Sequence, residues 1–485
     1  MARDDLGERP PEPAAAIADA RRAQAPWAAR PLAERVAIIA RTRASLAEDA
    51  DGVVEAVGPM AGRTPGETIA AELVPLMEAC RFVERRAARL LAPRRPSWRE
   101  RSTLMMATTS TLHREPRGVV LILAPANYRL FLAGTQTVQA LAAGNAVVVK
   151  PAPGAEGAMA LLARHLVAAG LPEGLFTVLA CDHETGARAV EAGADLVVLT
   201  GGAETGRRVM AALAASLTPS IMELSGADAS VVLPGADLAM AADCLAWGVS
   251  LNAGMTCIAP RRVFAADGTA ERLEALLAER LGACRPRPVE ARHRAEAAAL
   301  VDDALEHGAR LVGPYPAEAE TMAPCLVVGP GRAARILREA PFAPIMALVP
   351  VADAEEALDL DRLNPYGLAA SVFGPKREAA AIAARLNAGT VTINDLIAPT
   401  AEPSMPFEGR GTSGFGPTQG AEGLLAMTRP KVVARTRGRM RPQTRSDIAE
   451  DAELMAGAVA LMHGRRRGAA LGRLARALRR RLGRG

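Results

Sequence analysis

The chain has 485 residues, half of them apolar and 23% charged, a balance that excludes wholesale disorder and leaves room for two or three domains. Its net charge of +5 is unevenly placed, because Thr436 to Gly485 carry 13 Arg against four acids. The rest is therefore mildly acidic, which argues against a nucleic-acid-binding body, and no nucleic-acid partner is expected.

Residues 1–14 are polar and Pro-rich. They read as a flexible arm, with no apolar stretch before a cleavage site to suggest a signal peptide. From Ala15 to about Arg94 apolar residues recur at helical spacing (Val36, Ile39, Leu73, Leu76, Phe82), which predicts several helices. The Thr-rich stretch from Pro96 to Glu115 predicts a projecting pair of strands. From Gly118 short apolar runs alternate with Ala-rich segments of helical length. The runs are VVLILA (119–124), AVVVK (146–150), FTVLA (176–180), DLVVLT (195–200) and SVVL (230–233). This alternation predicts an α/β fold with a mainly parallel sheet covered on both faces. A second α/β stretch follows Gly254, with strands expected at 261–264, 345–351, 371–373 and 389–394. The last 50 residues form a separate basic tail.

Three segments carry residues suited to chemistry. Pro125-Ala126-Asn127 follows one strand and Lys150 ends the next, and ligands of open α/β sheets sit at the carboxyl ends of strands. Lys150 is one of only three lysines, with Lys376 and Lys431, in a chain that otherwise uses Arg. It can hydrogen-bond a ribose hydroxyl or a phosphate, or it can be a plain strand-end surface residue. The turn from Thr200 to Gly206, with Gly201 and Gly202, opens a helix and is either a phosphate-binding turn or only a turn. Glu223 and Leu224 close the run SIMEL, and Cys257 lies in LNAGMTCIAP.

The six cysteines (Cys80, Cys181, Cys244, Cys257, Cys284, Cys325) are scattered, with no CxxC and no metal-ligand spacing, so neither a metal site nor a disulfide framework is expected. With no apolar run of about 18 residues, a cytoplasmic protein is the expectation. On spacing alone Cys257 is not distinguished from the other five.

It is distinguished by a resemblance. Residues 115–151, 217–233 and 251–263, then NPYGLAASVFG (364–374), AGTVTIND (388–395) and PFEGRGTSGFG (406–416), resemble the aldehyde dehydrogenase superfamily in order and spacing over roughly residues 20–435. LTPSIMEL, AWGVSLNAGMTCIAP and IND followed by MPFEGRGTSGFGPTQG are most similar to the class 3 group, which includes the fatty aldehyde dehydrogenases. The resemblance implies that Cys257 is the nucleophile, that Asn127 stabilises the oxyanion, and that Glu223 activates the hydrolytic water. It implies NAD or NADP as cofactor, held by Lys150, Pro125, Ala126, Gly201, Gly202, Gly206, Leu224 and Phe342.

Several positions depart from the family pattern. Ala126, Gly202, Ser225 and Met255 stand where Trp, Ser, Gly and Gln are usual. The family's E-I-F-G-P reads Ala340-Pro341-Phe342-Ala343-Pro344, which removes a ribose-binding Glu, although Glu339 is adjacent. Pro153 replaces a second ribose-binding acid. Without that carboxylate to repel a 2′-phosphate, NADP is as acceptable as NAD.

The resemblance implies a Rossmann-like cofactor domain (15–99 and 117–225), a catalytic domain (226–404) and an oligomerisation element (100–116 and 405–435) that implies a homodimer. The expected reaction is NAD(P)-dependent oxidation of an aldehyde, plausibly aliphatic, to its acid. Two alternatives stay open: an acyl-thioester or acyl-phosphate reductase using the same Cys257, and a degenerate scaffold. In the tail (436–485), Leu471, Leu474, Leu478 and Leu482 fall at helical spacing with Arg mostly opposite. That pattern suits either peripheral association with an anionic membrane or a solvated end.

Overall fold

The computed structural model describes residues 10–101, 107–316, 319–438 and 452–482. They form two compact units, the described residues of 10–91 with 115–429, and those of 92–114 with 430–482.

The first unit holds both large sheets. The helix Pro13–Ala29 begins inside the expected arm, because Pro13 occupies its first turn and the Glu12 carboxylate accepts the Ala14 N–H at 2.9 Å. Residues 1–9 lie outside the described residues. Across the first sheet the parallel strands run Ser220–Leu224, Leu196–Gly201, Val119–Leu123, Ala146–Lys150 and Phe176–Val178, with Gly414–Phe415 as a short antiparallel edge. The Val119–Leu123 and Ala146–Lys150 strands are buried throughout, as expected of parallel strands covered on both faces.

The chain leaves this sheet at Leu224 and enters the second at Asp228–Val232, so SVVL belongs to the second sheet. That sheet orders Arg310–Val312, Cys325–Val328, Ile345–Val351, Pro260–Ala266, Asp228–Val232, Ala369–Phe373 and Thr390–Ile393, parallel except for the first pair. Much of the segment 405–429 is built into the first unit. Gly414 pairs with Glu223, and the helix Gly420–Ala426 buries Leu424 in the core shared with the first sheet.

The second unit corrects one expectation. The stretch 96–115 does not form a strand pair among the described residues. It supplies part of one strand, Thr108–Pro116, whose partner is Thr428–Thr436, a strand not anticipated. The expected partner segment around Trp98 contains Pro96, turns, and a single bridge between Arg94 and Leu112. The described part of the tail from Ala452 on is a helical hairpin, Ala452–His463 and Arg467–Leu482. Gly457 lies so close to Leu474 that a Cβ there would sit 3.0 Å from its Cγ, and Glu453 pairs with Arg473 and Arg480. Leu474 thus lies in the helix–helix seam, whereas Leu471 and Leu478 are exposed. The side chain of Leu482 lies outside the described residues. Among the described residues no helix is long and apolar enough to cross a membrane.

Candidate active site

The register of the first sheet aligns its carboxyl ends. Leu123 pairs with Lys150 and Thr200 with Glu223, so the segments after these strands converge on one edge. Pro125 is buried and Ala126 exposed there. Lys150 is buried with its stem against Gly186, where a Cβ would come within 3.6 Å of Cδ and Cε. Burial lowers its pKa against the opposing pull of Cys181, Asp182 and Glu156. The helix Ala203–Ala214 starts at Gly202 with no side-chain cap, so its first N–H groups are open, and a Cβ on Gly202 would meet nothing within 4 Å. Gly206 lets this helix press on Leu224, whose Cδ1 is 2.8 Å from where a Cβ would stand. Gly201 ends the strand itself. A buried cation at the end of one strand and an uncapped helix start after another, two strands away on the same edge of the sheet, fit a phosphate-bearing dinucleotide.

Cys257 sits in a turn after a strained segment. Asn252 and Ala253 both have φ near +53°, a left-handed conformation that a β-carbon resists. The segment is fixed by Asn252, which donates from Nδ2 to the Met255 carbonyl at 3.0 Å and to the Asn127 carbonyl at 3.0 Å. Asn127 in turn donates from its own Nδ2 to the Met255 carbonyl at 3.1 Å. The predicted oxyanion Asn is thus bonded to the residue two before Cys257. That bond engages one of its two amide hydrogens.

Glu223 comes from the strand Ser220–Leu224 and is almost fully buried. Burial pushes its carboxyl up to about 7, opposed by hydrogen bonds from Thr418 and Thr200. Its Oε2 has no hydrogen-bond partner. Cys257 is affected in the same direction. Burial raises its thiol well above the usual range, the charges of Glu223 and Asp228 add to this, and its own N–H and that of Ile258 oppose it. The charge of Glu223 is felt at the Cys257 thiol, which places the two in one electrostatic site. Phe342 comes from the second sheet's side, in the segment before Ile345–Val351. Its ring centroid lies 5.7 Å from that of His293. The neighbouring Ala343 backbone abuts the Cys257 loop, since a Cβ on Gly254 would fall 2.3 Å from the Ala343 carbonyl carbon. Among the described residues no cluster of His, Cys, Asp and Glu could hold a metal.

The structure adds supports that spacing did not reveal. The Glu72 carboxylate is fully buried and accepts the backbone N–H groups of Arg129 (3.1 Å), Leu130 (3.0 Å) and Phe131 (2.9 Å), capping the helix Phe131–Ala143. It also pairs with Arg63 at 2.9 Å. Arg63 donates to the Asn127 carbonyl at 3.2 Å and lies 4.9 Å from the Tyr128 ring centroid. The Tyr128 hydroxyl is bonded to Thr256 Oγ1 at 3.0 Å. Glu72 and Arg63 therefore hold the loop that presents Asn127. On the other side, Gln136 donates to Thr200 Oγ1 at 3.3 Å and thereby orients a partner of Glu223.

With this geometry in place, comparison with known proteins is decisive. The aldehyde dehydrogenase family model matches residues 9–433. The chain belongs to the aldehyde dehydrogenase family. It is accordingly an oxidoreductase acting on an aldehyde group with NAD or NADP. A 4,4'-diapolycopene aldehyde oxidase of Methylomonas sp. is 30% identical over 434 residues, covering 87% of this chain and 82% of that protein. The NADP-dependent glyceraldehyde-3-phosphate dehydrogenase of Bacillus halodurans, solved with NADP, superposes with a TM-score of 0.81 at 31% identity, covering 87% of this chain and 90% of that one. An aldehyde dehydrogenase of Mycobacterium tuberculosis, solved with NAD+, gives a TM-score of 0.80 at 27% identity, covering 88% and 90%.

Proposed function

We propose that this aldehyde dehydrogenase converts an aliphatic aldehyde to its carboxylic acid on Cys257, with Asn127 and Glu223 as the other catalytic groups. The observation that carries this reading is the convergence of three elements. The Cys257 turn is hydrogen-bonded to Asn127, and Cys257 shares its electrostatic environment with Glu223. The Cys257 thiolate adds to the carbonyl carbon, and the oxygen takes the negative charge. The other amide N–H of Asn127 and the Cys257 backbone N–H stabilise that oxyanion. NAD or NADP bound at this edge would supply the hydride acceptor for that carbon. Glu223 then takes a proton from the water that attacks the resulting thioester, which releases the acid and regenerates the thiol. A carboxyl with a pKa of about 7 suits that task near neutral pH. Its presence favours hydrolysis over transfer to coenzyme A.

Lys150 and the open start of the helix at Gly202 would hold the dinucleotide's ribose and phosphates. Gly201 and Gly206 shape that turn, and Pro125, Ala126, Leu224 and Phe342 would line the remainder. The absence of an acid at Pro153 leaves no charge-based preference between NAD and NADP. An aliphatic substrate is supported by the class 3 likeness and by the relative named for 4,4'-diapolycopene aldehyde. A homodimer is supported by the ribbon of Thr108–Pro116 and Thr428–Thr436, whose second strand exposes Val432 and Val433, and light scattering measures it. The hairpin tail exposes Met455, Val459, Leu471 and Leu478 beside seven arginines whose side chains are described, which supports peripheral attachment to an anionic membrane.

The test is formation of reduced nicotinamide from a panel of aldehydes, with NAD and NADP in parallel and C257A as control. Turnover that disappears in C257A is the expected result. Turnover that persists in C257A overturns the assignment of the nucleophile. Absence of turnover and of cofactor binding with both dinucleotides would favour a scaffold.

A further inference from the structure

Arg261 lies four residues after Cys257 and is buried to 3% exposure, although it is a cation in the core of the second sheet. A buried guanidinium needs its donors satisfied, and the partners here are informative. Nη2 donates to the Gly254 carbonyl at 2.5 Å, inside the turn that carries Cys257. Nη1 donates to the Ala343 carbonyl at 2.5 Å and, more distantly, to that of Ile345 at 3.4 Å. One planar side chain thus joins the Cys257 turn to the segment that carries Phe342. The two backbones touch at the same point, because Gly254 (φ +76°) leaves no room for a Cβ against Ala343.

The charged groups around the thiol come from several elements. Glu223 ends one strand of the first sheet and Asp228 begins the next strand in the chain. Asp228 is buried, its Oδ1 accepting the Ala369 N–H at 3.2 Å. Asp228 Oδ1 and the Cys257 carbonyl oxygen would both stand 2.7 Å from a Cβ on Gly226, so both flank the Gly226 backbone. Both acids, when ionised, disfavour a thiolate. Burial pushes Asp228 well above the usual carboxylate range against the Ala369 N–H and the pull of Arg262 and Arg261, and it pushes the Tyr128 phenol up to about 12, so that phenol is neutral at working pH. Arg261 and the buried Arg262 both oppose the charge of Asp228, and Arg261 is the one that also interacts with Cys257; burial lowers its own pKa only to about 10, so it stays protonated at working pH.

We propose that Arg261 is a positioning residue for the reaction, clipping the Cys257 turn to the Phe342 segment and supplying the buried cation that offsets Glu223 and Asp228 at the thiol. This rests on Cys257 being the nucleophile. It predicts that thiol reactivity and cofactor use are joined through one side chain with no place in the reaction itself. Arg261→Met removes both the charge and the clip. Arg261→Lys keeps the charge but loses the fork that reaches two carbonyls together.

The experiment is the pH dependence of iodoacetamide alkylation of Cys257 in the cofactor-free full-length enzyme, read by mass spectrometry, together with the cofactor KM and kcat. In R261M the alkylation profile moves to higher pH and the rate at pH 8 falls about tenfold, while the cofactor KM rises. In R261K the alkylation profile stays with wild type and only the cofactor KM rises. A merely structural role would not separate the two readouts in this way. A folded R261M with a wild-type alkylation profile overturns the electrostatic part of the proposal. R261K with an unchanged KM overturns the clip, and decides the matter alone if R261M does not fold. Failure of the underlying reading is distinguishable, because C257A would then retain turnover whatever Arg261 does.

Discussion

Replacing Glu223 with Gln removes one ionisation from an otherwise unchanged site, and it makes two predictions of opposite sign. The carboxyl is pushed from 4.5 to about 7, chiefly by burial. An acid whose folded pKa is raised favours the folded state fully below its unfolded pKa, and that contribution is lost as pH rises through the folded value. Below pH 4.5 both states hold the proton, so Glu223 costs nothing. Between pH 4.5 and 7 the unfolded chain ionises first, and above pH 7 the folded protein carries a buried carboxylate. At about 1.4 kcal/mol for each pKa unit, the cost above pH 7 is roughly 3 kcal/mol. Gln carries no such cost and can still bond Thr200 and Thr418. E223Q should therefore melt a few °C higher than wild type at pH 8.5 and at the same temperature at pH 4.5. Turnover should fall about 10²–10⁴-fold, because the water that cleaves the thioester loses its base. A single equivalent of reduced cofactor should still appear rapidly, since the Cys257 addition does not need that base for hydrolysis. Calorimetry at the two pH values and a stopped-flow trace check both halves. An E223Q protein that is no more stable at pH 8.5 and turns over at the wild-type rate would show that Glu223 is neither strained by burial nor the base.

Two further perturbations test the supports and the tail. Glu72→Gln breaks the buried pair with Arg63 and weakens the cap on the helix Phe131–Ala143, so it should cost about 3–5 kcal/mol in urea unfolding and lower kcat through a displaced Asn127. Wild-type stability in this variant would mean that the Glu72 network does not hold the loop. For the tail, full-length protein should sediment with anionic but not neutral vesicles, and removal of residues 437–485 should abolish this; equal sedimentation of both proteins would refute membrane attachment by the hairpin.

The sequence made most of the fold legible because parallel strands buried on both faces are written as plain apolar runs. VVLIL and AVVVK need no context to be read, and the strands Val119–Leu123 and Ala146–Lys150 follow them. The ribbon was harder. Thr428–Thr436 (TRPKVVART) is interrupted by charge and proline, and nothing in its pattern says that its partner lies more than 300 residues earlier. Helical spacing in the tail predicted a helix, but it could not assign Leu474 to a seam with a second helix. That depends on Gly457 being opposite, and periodicity describes one helix at a time.

The same distinction separates the residues expected in the site from those that support them. Cys257, Asn127 and Glu223 stand within ordered motifs, so a linear reading reaches them. Arg63, Glu72 and Arg261 act through backbone carbonyls and amides that the fold brings from distant segments, Arg261 reaching Ala343 across 82 positions. A carbonyl acceptor is offered by every residue alike, so it leaves no mark on the sequence, and an Arg in an Arg-rich chain draws no attention. Charge burial is where such residues become visible. Arg63, Glu72 and Arg261 are each buried ions, and each has its charge matched by a partner or by several backbone dipoles. The three converge on the two loops that carry Asn127 and Cys257. Burying them costs solvation that apolar residues would not, and the return is a pair of loops held in one geometry, including the strained turn at Asn252 and Ala253.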